Sequence, residues 1–238
     1  MYHLLIINGW SANARFWNEF IEDLPAGVNS QVIDLDSSKS LEDYLVLIDQ
    51  NVRENTLLLG WSLGGMLATK YAATSPKKFL GVVTLQATPC FIEKPDWVHG
   101  LSHLDFSALN DTVAEQNFSV LVRSFSNLLV SGAKRHKEDR RKLKPVYAEQ
   151  YIFSGSVLLS GLDLLRELDL RADLPKIKVP FLHVFGGQDS LVSLRQVNQI
   201  RELAPTHEFC VIEDMAHFPC GVYRQQIIKR LKSFVNFL

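Results

Sequence analysis

Three residues of this chain have the types and the placement to break an ester or amide together. Ser62 stands in Gly60-Trp61-Ser62-Leu63-Gly64, a G-x-S-x-G pattern. Thr56 to Leu59 before it is a short apolar run of strand type, and GGMLATKYAAT after it reads as a helix of small residues. A strand turning straight into a helix through this pattern is a nucleophile elbow. So tight a turn strains the serine backbone and pushes its hydroxyl above the sheet. Gly60 and Gly64 are needed because a Cβ at either place would strike the neighbouring strand or helix. A turn serine in a Gly-rich loop is the plainer alternative, and the flanking strand and helix favour the elbow.

A serine hydroxyl is a weak nucleophile until a base takes its proton, and the base works best when a carboxylate orients it. With this elbow the chain order is serine, acid, histidine, the acid following a late strand and the histidine the last one. Asp189 follows the apolar run FLHVF, and His217 follows EFCVI. Asp214 is a rival acid, although three residues before the base it can equally face solvent or brace the loop. Of the other histidines, His3 begins a strand, His183 lies within one and His207 precedes the last. His99, His103 and His136 fall in a middle region of different character. The helix start after Ser62 offers the Leu63 N–H to an oxyanion, and the loop after the first strand, Asn8-Gly9-Trp10-Ser11, offers the Trp10 N–H. The indoles of Trp10 and Trp61 then flank the site, either walling an acyl pocket or packing as ordinary core.

These residues must be positioned by a sheet. Apolar strand-like runs at His3 to Ile7, Gln31 to Leu35, Thr56 to Leu59 and Leu80 to Leu85 alternate with helical patterns at Ala14 to Leu24, Leu41 to Val52 and after the elbow, Ser40 being a plausible N-cap. Alternation resumes with strands at Phe181 to Phe185 and Glu208 to Ile212 and helices at Leu194 to Leu203 and Tyr223 to Phe237. This pattern implies an α/β fold, a parallel sheet with helices on both faces and its site at the carboxyl ends of the strands. Residues 1–93 and 169–238 form that core. Residues 94–168 read as an all-helical insertion, a cap over the site.

Composition narrows the function. The chain's 238 residues, 47% of them hydrophobic, suit one α/β domain with an insertion. A net charge of −1 argues against nucleic acid or an anionic membrane as a global partner, so any basic footprint is local. Cys90, Cys210 and Cys220 form no C-x-x-C or zinc spacing, and their odd number fits a reducing compartment. No signal peptide or bilayer-spanning run is visible, so a cytoplasmic protein is expected, acting as a monomer without metal or cofactor.

With these residues in place, the sequence resembles the α/β-hydrolase superfamily over nearly its whole length. More narrowly, it is similar to the pimeloyl-acyl-carrier-protein methyl ester esterases of biotin synthesis. The stretches that carry this are NGWSANARFW (8–17), LLLGWSLGGMLA (57–68), VVTLQATPCF (82–91), DLRADLPKIKVPFLHVFGGQDSLV (169–192) and AHFP (216–219). The resemblance implies a serine carboxylesterase with Ser62, Asp189 and His217 as its triad. An esterase or carbon–carbon hydrolase for small free substrates is the nearest alternative, and a non-catalytic binding protein on the same fold the next. The resemblance also implies that basic cap residues receive an acidic acyl carrier protein. Lys137 and Arg141 match best, in the run KRHKEDRRKLK (134–144), with Arg123 beside them; on a helix Lys134, Lys137, Arg141 and Lys144 share one face. Read alone, such a run is a solvated helix face. Phe125 is the nearest match to a cap phenylalanine lining the acyl channel, and packing between cap helices explains it equally. Two departures stand out. The oxyanion loop carries Asn8 where the family has histidine, and the leading hairpin of the superfamily is expected to be missing, shortening one sheet edge.

Overall fold

The structure, a computed structural model, describes residues 2–37, 40–148 and 153–237. Six strands form one sheet: β1 (His3–Ile7), β2 (Asn29–Ile33), β3 (Thr56–Trp61), β4 (Gly81–Leu85), β5 (Phe181–Gly186) and β6 (Glu208–Ile212). Their order is β2-β1-β3-β4-β5-β6, and every pairing is parallel. β1, β3, β4 and β5 are buried from end to end. Helices cover both of their faces, which is why they read as unbroken apolar runs. The outer strands β2 and β6 keep partly exposed residues.

The α-helices among the described residues are α1 (Asn18–Glu22), α2 (Leu41–Asn51), α3 (Leu63–Thr74), α4 (His103–Ala114), α5 (Phe118–Val130), α6 (His136–Ala148), α7 (Gly155–Glu167), α8 (Val197–Leu203) and α9 (Arg224–Val235). The chain steps from β1 out to β2, then crosses back past β1 to β3. Right-handed crossovers in opposite directions put the connecting helices on opposite faces. Accordingly α1 packs with α9, while α2 packs with α3. The reversal lies between β1 and β3, where an open α/β sheet leaves a crevice at its carboxyl edge.

Boundaries differ from the sequence pattern in instructive places. The expected helix over 14–24 is a 3-10 turn at Ala14–Trp17 followed by the short α1, because the Asn13 side chain accepts from the Arg15 N–H and starts the turn tightly. β2 lies two residues earlier than expected and ends at Ile33, since Asp34 turns to meet Asn8. Ser40 does cap α2, in a reciprocal box with Asp43.

Between β4 and β5 come the four helices α4 to α7; residues 149–152 of this stretch lie outside the described residues. α5 buries Leu121, Phe125 and Leu129, and α7 buries Leu158, Leu162 and Leu165. Each such side chain contributes about 1.5–3 kcal/mol of transfer free energy. The insertion is tied to the loop after β6. The buried Asp139 carboxylate of α6 accepts from the Val222 N–H at 2.8 Å, and the Phe218 N–H donates to the Leu129 carbonyl at 2.9 Å. No helix among the described residues is long and apolar enough to cross a membrane.

Candidate active site

β3 ends at Trp61 and α3 begins at Leu63, so Ser62 alone makes the turn. Its φ of 53° and ψ of −119° lie where L residues are rarely found, a strain of about 1–3 kcal/mol. The surroundings enforce it. The Ser62 N–H donates to the Leu85 carbonyl at 3.0 Å, and its own carbonyl accepts from the Gly65 and Met66 N–H groups at 2.9 and 3.2 Å. A Cβ on Gly60 would lie 2.6 Å from the Gly65 Cα, and one on Gly64 would collide with the Ile7 and Asn8 carbonyl oxygens. The Ser62 side chain is partly exposed and makes no hydrogen bond among the described residues. The Leu63 N–H beside it opens α3, where no intrahelical acceptor exists.

Asp189 and His217 meet across two neighbouring loops. The His217 Nδ1–H donates to Asp189 Oδ2 at 2.7 Å, and both side chains are 1% exposed. The other Asp189 oxygen accepts from the Leu191 and Val192 N–H groups at 2.8 and 2.9 Å, so the carboxylate is held by three donors. That arrangement puts the imidazole proton on Nδ1 and leaves the Nε2 lone pair as the free acceptor. Glycines allow the loops to touch: a Cβ on Gly186 would lie 2.5 Å from the Met215 and Ala216 carbonyl oxygens. The Gly187 and Gln188 N–H groups then donate to the Ile212 and Met215 carbonyls. Asp214 instead faces out, with the exposed Lys134 at 3.5 Å.

No hydrogen bond joins Ser62 to His217. The tie between their loops is Trp61, whose Nε1–H donates to the His217 carbonyl at 3.0 Å while the two rings lie 5.8 Å apart. His183 and His207 are elsewhere. Their rings are hydrogen-bonded to each other at 3.0 Å among phenylalanines, and Thr84 takes the far nitrogen of His183. Burial holds the His183 pKa well below the usual imidazole range and brings His207 down to about 4, so both are neutral packing groups at neutral pH.

The loop after β1 carries the other expected oxyanion donor. Gly9 lies against the elbow, a Cβ there being 3.0 Å from the Trp61 ring and 3.3 Å from the Ser62 Cβ. Asn8, fully buried, accepts from the Trp17 Nε1–H at 2.5 Å and donates from Nδ2 to Asp34. Burial pushes the Asp34 carboxyl pKa up, and the Asn8 amide opposes that. The sequence does not single out Trp17 or Asp34, and its apolar pattern places Asp34 inside the expected strand rather than after the end of β2 at Ile33.

A profile of the alpha/beta hydrolase fold matches residues 2–222 of the sequence. The chain belongs to the α/β-hydrolase family. It is 33% identical over 244 residues to the pimeloyl-[acyl-carrier protein] methyl ester esterase of Edwardsiella ictaluri, covering 98% of this chain and 93% of that one. The esterase of the same name from Pectobacterium carotovorum subsp. carotovorum is 32% identical over 224 residues, covering 91% and 87%. In fold, it matches the bromoperoxidase of Bacillus anthracis with a TM-score of 0.86 at 20% identity, over 99% of this chain and 92% of that one. An esterase of Exiguobacterium antarcticum gives 0.82 at 19% identity with the same coverage.

In this α/β hydrolase the two tryptophans of the site are placed differently. The Trp10 indole reaches up to the insertion. Its Nε1–H donates to the Leu158 carbonyl of α7 at 2.9 Å, and its ring meets Phe125 of α5 edge to face at 4.8 Å. The Trp61 indole points into the core among Phe16, Trp17 and His217. A groove of about 260 Å³ opens beside the histidine loop, lined by Phe16, Phe218, Lys142, Pro145 and Val146 among others.

The basic run of the hydrolase divides by orientation. Lys134 precedes α6 rather than joining its face, because the helix starts at His136. Asp139 and Leu143 turn inward, and Lys142 pairs with Glu19. Lys137, Arg141 and Lys144 stay exposed, as does Arg123 on α5, and Lys137, Arg141 and Arg123 make no ion pair among the described residues. Among those residues no group of three or more His, Cys, Asp or Glu side chains is arranged to hold a metal.

Proposed function

We propose that this hydrolase is a serine carboxylesterase that cleaves the methyl ester of an acyl chain borne on acyl carrier protein, the pimeloyl chain of its named relatives. The hydrogen bond from His217 to Asp189, one loop from the strained Ser62, is the observation that carries the chemistry. His217 Nε2 takes the Ser62 hydroxyl proton as Oγ attacks the ester carbonyl. The Trp10 and Leu63 N–H groups hold the oxyanion, and methanol leaves with the proton from His217. Water then attacks the acyl-serine, His217 again taking a proton, and the free carboxylate is released with Ser62 restored. The Ser62 to His217 hydrogen bond is one that forms fully only with substrate in place.

Residues 94–168 act as the cap in this reading, with Trp10 and Phe125 forming a wall of the acyl channel and Trp61 backing it. A substrate on a carrier also contains a thioester, so the cap must present the distal ester to Ser62. Lys137, Arg141 and Arg123, exposed and without ion pairs among the described residues, are the surface we assign to the acidic carrier. The three free cysteines suit a cytoplasmic setting.

The test is hydrolysis of pimeloyl methyl ester on carrier protein, alongside a small nitrophenyl ester. Ser62→Ala should abolish both, and labelling of Ser62 by a fluorophosphonate with it. Lys137→Ala with Arg141→Ala should lower kcat/KM on the carrier-borne ester alone. Equal loss on both substrates would leave an esterase for small free substrates, and failure of Ser62 to label would remove the enzyme.

A further inference from the structure

We propose that Asn8 is a positioning residue for the oxyanion donor on Trp10, acting through a two-sided brace made by Trp17 and Asp34. The inference rests on the reading above, in which the Trp10 N–H faces the oxyanion. Asn8 lies two residues before Trp10 and is fully buried. Its backbone N–H donates to the Ile33 carbonyl at 3.1 Å, extending the β1–β2 ladder by one step. Its side chain then takes over where the ladder stops. The indole of Trp17 has only a hydrogen to give, so it selects the amide oxygen of Asn8; the carboxylate of Asp34 has only lone pairs, so it selects the amide nitrogen. The two partners therefore agree on a single amide orientation, and the Asn8 side chain cannot rotate without leaving two groups unmatched.

The brace decides where the next two residues lie. Gly9 faces the Trp61 ring and the Ser62 Cβ so closely that a Cβ there would stand 3.0 and 3.3 Å from them. The Asn8 carbonyl lies close to α3, where a Cβ on Gly64 would stand 2.4 Å from its oxygen. Ser11 turns the chain away at φ 63°. The peptide carrying the Trp10 N–H is thus suspended between the Asn8 brace at one end and the strained Ser11 at the other. An oxyanion donor is effective only if its direction is set before the charge develops. A residue that must satisfy one donor and one acceptor at once sets it better than a purely apolar one would.

The position can be read by exchanging the partners' chemistry. Asn8→Leu keeps roughly the volume and removes both bonds. Asn8→Asp still accepts from Trp17 but sets a carboxylate against Asp34. Asn8→Asp with Asp34→Asn reverses the second bond, the amide now donating from position 34, and rebuilds the brace. On a nitrophenyl ester, Asn8→Leu and Asn8→Asp should lower kcat about ten- to a hundredfold, as expected when an oxyanion donor is misaimed rather than deleted, with KM changed less than about threefold. The double exchange should recover most of kcat. Thermal midpoints, measured in parallel, separate positioning from folding: the assays are run where every variant is fully folded. The proposal is overturned if the folded single variants keep kcat within about twofold, or if KM rather than kcat carries the loss, or if the exchange recovers the thermal midpoint but not kcat. Failure of the parent reading looks different, since then wild type and Ser62→Ala would hydrolyse the ester equally poorly.

Discussion

Gly161→Ala probes the contact between the insertion and the oxyanion loop. Gly161 lies on α7 directly over the Trp10 indole, and a Cβ there would stand 2.5 Å from Trp10 Cδ1 and 3.1 Å from Nε1. Carbon atoms pack best at about 3.5–4.0 Å, so the ring or the helix must give by about 1 Å or more. Alanine favours the helix by about 1 kcal/mol over glycine. Against that stand overpacking, about 1–3 kcal/mol, and a weakened buried bond from Trp10 to the Leu158 carbonyl, about 1–3 kcal/mol. The net expectation is destabilisation by about 1–5 kcal/mol. If the Trp10 N–H serves the oxyanion, a displacement near 1 Å also lowers kcat by up to about a hundredfold. Gly155→Ala is the control on the same helix, since its Cβ would meet only Phe118 at an ordinary 3.6 Å. Urea melts and nitrophenyl ester kinetics of both variants decide the matter. A Gly161→Ala protein as stable as Gly155→Ala, with kcat within twofold of wild type, would refute the reasoning.

Three further outcomes are expected. Asp189→Asn would turn an amide N–H toward His217 Nδ1 and force the tautomer that lacks a base at Nε2, so kcat should fall about 10³- to 10⁴-fold with KM little changed; a loss under tenfold counts against the assignment. Trp61→Phe deletes the donor to the His217 carbonyl and should cost about 1–3 kcal/mol with a fall in kcat, read by thermal melting and ester kinetics, and an unchanged melt would contradict it. His207 has a folded pKa of about 4 against about 6.5 unfolded, so below pH 6.5 the unfolded chain takes a proton that the folded chain refuses. Its contribution is fully present above pH 6.5 and is lost as pH falls toward 4, a change of about 3 kcal/mol, with buried His183 acting in the same direction. Melting temperature across that range should fall less in His207→Phe than in wild type, and parallel curves would exclude the pair as the cause.

Much of the site was legible because its signals are local. The G-x-S-x-G turn needs only a strand before it and a helix after it, and both are carried by the single unbroken stretch 56–74. Asp189 and His217 could be chosen because each directly follows a late strand, and strand ends in a parallel sheet share one edge. What was not legible depends on groups far apart in sequence. Nothing along the chain says that the amide of Asn8 meets Trp17 and Asp34, or that the Trp10 indole ends on the Leu158 carbonyl. Charge runs are ambiguous in the same way: KRHKEDRRKLK reads as one basic face, yet Asp139 and Leu143 turn inward and Lys142 reaches back to Glu19.

Sequence by itself therefore determined the order of strands and helices, the parallel sheet and the edge at which Ser62, Asp189 and His217 would lie. These follow from apolar periodicity and turn chemistry, which act over a few residues. Tertiary structure alone decided that Asp214 turns out toward Lys134, which basic side chains make no ion pair among the described residues, and how the loop bearing Trp10 is braced. Those outcomes depend on the direction of individual side chains in a close-packed interior, where an ångström separates a hydrogen bond from a collision.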